Sequence, residues 1–147
     1  MLEVYNNQEA IELSDALLEW LEDCGQRAYP LALRNPANGG GVLPELDFVE
    51  ISLVDDETID LVHRDFMDIP GATDVITFAH GEIVISTETA RSYAEEYGNS
   101  FERELLLYII HGLLHLSGHE DAVPEERKTM ESIQNTILKE VYTEFCQ

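Results

Sequence analysis

Residues His111 to Asp121 read HGLLHLSGHED, which puts three of the chain's five histidines within nine positions. His111 and His115 stand four apart in an apolar run. Side chains at that spacing share one helix face, so two imidazoles can approach one ion from the same side. Gly118 follows, and glycine lets the chain turn at little cost. Beyond the turn a third donor can swing back. His119 continues the four-residue spacing, but eight residues of straight helix rise about 12 Å, too far for both ends to reach one ion. A donor beyond a break at Gly118 has the easier path. We therefore expect Asp121 as the third ligand, with His119 as the alternative. A lone histidine reads as a packing or titrating residue; this spaced set reads as a metal site.

Position 112 narrows the chemistry. A zinc-protease helix reads HExxH, its glutamate serving as general base. Here that position is Gly112, so proteolysis is disfavoured. A residue that small leaves room for a bulky substrate group or a closely packed strand.

The elements that must position these residues can be read in outline. Leu2–Tyr5 suits a short edge strand, and Gln8–Cys24 carries apolar residues at helical spacing. Asn35–Gly41 (NPANGGG) is a flexible-loop signal. Leu46–Val54 alternates like a strand, and Asp55 or Asp56 can cap a helix to about Asp68, ended by Pro70 and Gly71. Asp74–Phe78 and Glu82–Ile85 read as a hairpin joined by Ala79, His80 and Gly81. Ser86 or Thr87 starts a helix to Tyr97, closed by Gly98; Asn99 or Ser100 caps the next. That helix, Phe101–Leu116, is nearly all apolar after Glu104 and should be central and buried. A last helix fits Pro124–Phe145, with proline in its first turn. There is no repeat and no linker, so residues 1–147 are expected to form one metal-dependent hydrolase domain.

Composition sets outer limits. The hydrophobic share is 44% and the charged share 26%, as in ordinary globular chains. No run is long enough to span a membrane and no leader precedes the first helix, which suggests a cytoplasmic protein. Cys24 and Cys146 then read as two reduced thiols. Eight basic against thirty acidic residues give a net charge of −22. A general nucleic-acid binder neutralises phosphates with lysine and arginine, and this chain can do so only locally. A polyanionic substrate would be held mainly at the metal, or delivered by a basic partner.

Several segments together resemble the YbeY family of metal-dependent endoribonucleases. His111–Gly118 is similar to the family's HGxLHLxG motif. Thr73–Phe78 (TDVITF) and Gly81–Ser86 (GEIVIS) resemble its two strand motifs, and Ala94–Leu105 resembles the approach to the metal helix. The likeness spans roughly Leu46 to Met130. It implies an α+β fold, with a small mixed sheet of about four strands packed against helices. The metal site would lie on the central buried helix and the turn after it. It implies one zinc ion, other divalent metals being competent, on His111, His115 and the position of Asp121. Family members usually carry histidine at that last position. The implied function is single-strand-specific endoribonuclease activity on RNA, not DNA, in 16S rRNA maturation and ribosome quality control. A ribosomal or GTPase protein partner is implied as well.

Two departures stand out. Asp121 makes the site harder and more negative, which helps iron or manganese compete. Met67 stands where the family often has an arginine thought to hold RNA; Arg64, one turn earlier, is the candidate substitute. Glu120 is the nearest acid for proton transfer. His80 defaults to a loop histidine and His63 to a structural one, while Thr73 and Asp74 shape the turn before their strand. The alternative is a ribosome-associated binding factor with a mainly structural metal. Less favoured are a metallohydrolase of another substrate class and an iron oxygenase.

Overall fold

The computed structural model describes residues 1–67 and 74–145. Its elements in chain order are β1 (Leu2–Asn6), α1 (Asp15–Leu33), β2 (Val49–Val54), α2 (Asp56–Met67), β3 (Val75–Phe78), β4 (Glu82–Ser86), α3 (Thr87–Tyr97), α4 (Phe101–Leu116) and α5 (Pro124–Val141). The fold is α+β, with a mixed four-stranded sheet in the order β1-β2-β4-β3. β1 pairs parallel to β2 through the α1 crossover, and β2 pairs parallel to β4 through α2. β3 runs antiparallel to β4 as a hairpin, with Phe78 opposite Glu82. Gly81 closes that three-residue link at φ +106°, a left-handed value that glycine tolerates.

Side chains alternate across the strands, so each face of the sheet can be buried separately. Val49, Ile51, Leu53, Ile83 and Ile85 pack with residues of α1 and α4 in the main core. Val54, Ile76 and Val84 face the other way and pack with Ile59 of α2. α4 is the central helix. Leu105, Leu106, Ile109, Ile110, Leu113 and Leu114 are fully buried, and α1, α3 and α5 pack around it. Its apolar face thus fixes the helix that carries both histidines.

The capping signals resolve cleanly. Ser14, Ser86 and Ser100 each accept a backbone N–H three residues on, and Asp55 does the same for Thr58 at 2.7 Å. Gly98 ends α3 in the left-handed region.

Three boundaries differ from the sequence expectation. The first helix runs Asp15–Leu33 rather than Gln8–Cys24. The Gln8 side chain closes a loop instead, bonding the N–H and carbonyl of Ile11. β2 starts at Val49 because Leu43–Glu45 forms a 3₁₀ turn. α5 ends at Val141: Trp20 Nε1 donates to the Thr143 carbonyl at 3.1 Å, and its ring meets Tyr142 and Phe145, so an extended tail replaces the last turn. Pro70, Gly71, Thr73, Cys146 and the Met67 side chain lie outside the described residues. Among those residues no helix is long and apolar enough to cross a membrane.

Candidate metal centre

α4 stops at Leu116. Ser117 caps it, and Gly118 turns the chain at φ +97°. The turn is clamped rather than loose. Ser117 Oγ donates to the Ala32 carbonyl at 2.9 Å, and the Ala37 N–H donates to the Ser117 carbonyl at 3.1 Å. His119, nearly buried, bonds the Asn35 carbonyl through Nε2 at 2.7 Å. A Cβ on Gly118 would lie 2.3 Å from the Gly40 oxygen, and one on Gly41 would lie 2.2 Å from the Leu116 oxygen. The glycine-rich segment expected as a flexible loop is therefore a bracket holding the turn. Close backbone approach explains Gly41, and positive φ values of 89° and 71° explain Gly39 and Gly40.

This clamp sets where Asp121 falls. His111 Nε2 and His115 Nε2 are 3.0 Å apart, and Asp121 Oδ2 lies 3.5 Å and 3.6 Å from them. The three residues form a group that could hold a metal ion. Donors about 2.1 Å from a tetrahedral zinc are about 3.4 Å apart, so the triangle suits that ion. Two neutral imidazoles and a carboxylate are also a suitable donor set, and three protein donors leave the fourth position open.

Both rings are oriented from behind. His115 Nδ1 faces the His119 carbonyl at 2.9 Å, and a carbonyl only accepts, so the proton sits on Nδ1. His111 Nδ1 meets Gln134 Oε1 at 2.8 Å. Each Nε2 is thereby left with its lone pair toward Asp121, the usual arrangement behind histidine ligands. Burial, then the neighbouring His115, pushes the His111 imidazole below its ordinary pKa, which favours the neutral ligand form.

The cluster lines an open cleft of about 550 Å³. Val75, Ile76 and Thr77 of β3 form one wall, Gly41 and Val42 another, and Asp74 and Glu120 complete the rim. Gly112 faces the sheet: a Cβ there would lie 2.7 Å from Ile83, so the missing side chain admits β4 against the helix. Glu120 is exposed at the cleft edge. Arg64 is not among the cleft residues; it pairs with Asp60 one turn back on α2 at 2.7 Å. His80 is exposed and stacks on Phe78, and His63 is half-buried on α2. His119 supplies its carbonyl to His115 while its ring points to Asn35.

Gln134 was missed in the sequence. A signal was there: it interrupts the buried α5 stripe of Met130, Ile137, Leu138 and Val141. A buried amide in such a stripe needs a polar partner, and His111 is that partner.

A family model described as endoribonuclease YbeY matches residues 3–142. The chain belongs to the YbeY family. It is 36% identical to the endoribonuclease YbeY of Symbiobacterium thermophilum, covering 92% of this chain and 93% of that one. The YbeY protein of Carboxydothermus hydrogenoformans is 32% identical over 94% and 95% of the two chains. Among solved structures, the solution structure of a Thermotoga maritima protein superimposes with a TM-score of 0.65 at 27% identity, covering 96% of this chain and 89% of that one. The YbeY match takes in β1 through α5, and with them every residue of the cluster.

Proposed function

We propose that this chain is a metal-dependent endoribonuclease that cuts single-stranded RNA, acting on precursor 16S rRNA in small-subunit maturation and ribosome quality control. The observation that carries the reading is the His111–His115–Asp121 triangle lining an open cleft in a YbeY-family chain. Zinc is the ion we assign, in one site per chain. When bound there, it supplies Lewis acidity to a phosphodiester oxygen and lowers the pKa of water.

The protein's own part is positional. His111 and His115 hold the ion through Nε2, and Gln134 with the His119 carbonyl keeps both Nδ1 protons turned away. Asp121 closes the site from the clamped turn. To Glu120, an exposed acid lining the cleft, we assign taking a proton from the attacking group and returning it to the leaving oxygen. The cytoplasm is the proposed location, with a ribosomal or GTPase protein as partner.

A second reading is a ribosome-associated factor whose metal is mainly structural. It is favoured by the cleft lining, which among the described residues includes no lysine or arginine, and by the net charge of −22. One experiment separates them: a precursor small-subunit rRNA fragment is incubated with zinc-loaded protein and, in parallel, with His115→Ala. Cleavage by wild type alone supports the nuclease. No cleavage by a wild type of verified zinc content would overturn it in favour of the partner-dependent factor.

A further inference from the structure

Thirty acids surround eight cations in this chain, so a half-buried arginine without an acidic partner calls for an explanation. Arg103, in the first turn of α4, is such a residue. Among the described residues its guanidinium makes no hydrogen bond or ion pair. Arg64 pairs with Asp60, Arg34 with the Pro30 carbonyl and Arg91 lies over the Phe101 ring, while Arg127 is exposed to solvent.

Arg103 lines a cavity of about 360 Å³ with Tyr93, Tyr97, Asn99 and Tyr108. Tyr93 and Tyr97 lie one turn apart on α3, with ring centroids 5.9 Å apart and planes within 19°. They are 38% and 65% exposed, and an exposed stacked pair presents an aromatic face that the core does not use. The other exposed aromatic among the described residues, Tyr5, is bonded to Glu3 on the far strand.

This cavity and the metal cleft share walls with a third hollow between them. Asp74, Val75 and His111 line both the cleft and a smaller hollow of about 150 Å³. Leu107, Tyr108 and Asp74 line that hollow and the tyrosine cavity alike. The three hollows follow one another along α4 from His111 to Arg103, and we read them as one trough. Eight helical residues span about 12 Å, or three to four phosphate spacings of a stacked strand at about 3.4 Å each. The trough is mixed in charge. Asp74 and Glu104 line it too, though buried Glu104 is occupied by Asn99 Nδ2 at 3.2 Å and by the Tyr108 hydroxyl. Bases therefore suit its middle, and a phosphate suits the Arg103 end.

We propose that this trough carries the single strand adjoining the cut site, with a base stacked on Tyr97 and a phosphate on Arg103. The proposal rests on the endoribonuclease reading. It also gives a physical source for single-strand preference, because paired bases offer no free face to a tyrosine.

The test is binding of a labelled single-stranded 2′-O-methyl RNA oligomer to zinc-loaded protein, with cleavage of the rRNA fragment measured alongside. Tyr97→Ala is expected to weaken binding about tenfold, and Tyr97→Phe to retain it. Arg103→Gln is expected to reduce the slope of log affinity against log salt by about 0.7. Zinc content and circular dichroism of each variant establish that the fold is kept. Unchanged binding in both Tyr97→Ala and Arg103→Gln, with wild type still cleaving, overturns the trough and leaves the nuclease standing. A wild type that neither binds nor cleaves overturns both. Competition by polyglutamate as effective as by RNA would assign Arg103 to an acidic protein partner and overturn the proposal.

Discussion

His115 Nδ1 donates to the backbone carbonyl of His119 at 2.9 Å, although the His119 ring turns away to the Asn35 carbonyl. A residue that sequence spacing offers as a ligand thus orients the neighbouring His115 through its main chain. The two roles are separable. His119→Gln keeps a side-chain donor for Asn35 and is expected to retain zinc at wild-type stoichiometry. Loss of zinc from this variant, measured by chelator competition, would make His119 the ligand instead.

Gln134 is the corresponding support for His111, at 2.8 Å across from α5. Gln134→Leu removes the acceptor and leaves the ring free to rotate. Zinc affinity should fall about 10- to 100-fold, the usual effect of losing such a partner. Gln134→Glu, which keeps an acceptor, should lose far less.

Asp121 sits in the triangle with both histidines. Asp121→Ala should lower zinc affinity sharply, while Asp121→His should keep it. The same comparison has a stability readout. Zinc at about 100 times its dissociation constant adds about 2.7 kcal/mol to a protein that binds it only when folded. That increment should be present in wild type and absent in His115→Ala; an equal zinc-induced rise in melting temperature for both would count against the site.

Gly112 faces Ile83 across a gap too small for a methyl group. Ile83 is fully buried and cannot move aside cheaply. Gly112→Ala should therefore destabilise the fold by about 1–3 kcal/mol through overpacking. Adding Ile83→Val should recover part of the loss in urea denaturation.

The α2 cap supplies a pH test remote from the metal. The Thr58 hydroxyl and N–H hold the Asp55 carboxyl below its ordinary pKa. A carboxyl depressed on folding stabilises above its unfolded pKa, and the effect is lost as pH falls through the folded value. Asp55→Ala should cost about 1 kcal/mol at neutral pH. The gap between the variant and wild type should close as pH falls below about 3.9. A gap that persists at pH well below that value would contradict the cap.

The segment His111–Asp121, whose donors could hold a metal, was legible in the sequence because its information is local. The four-residue spacing of His111 and His115 places both on one helix face whatever surrounds the helix, and Gly118 marks the break by its backbone freedom alone. The serine caps and the hairpin glycine are local for the same reason, and so are the alternating faces of β2 and β4. The tertiary structure decided what depends on distant chain meeting. The start of α1 moved because Gln8 satisfied Ile11 instead of a helix, and the end of α5 moved because Trp20 captured Thr143. The bracket of Asn35–Gly41 on Ser117–His119 spans some eighty residues of sequence, the bond between His111 and Gln134 twenty-three. A pattern within one helix can flag a buried polar residue such as Gln134, but it does not name the distant partner. Such pairs exist only because burial of the α4 apolar face brings α1, α5 and the sheet to the same place.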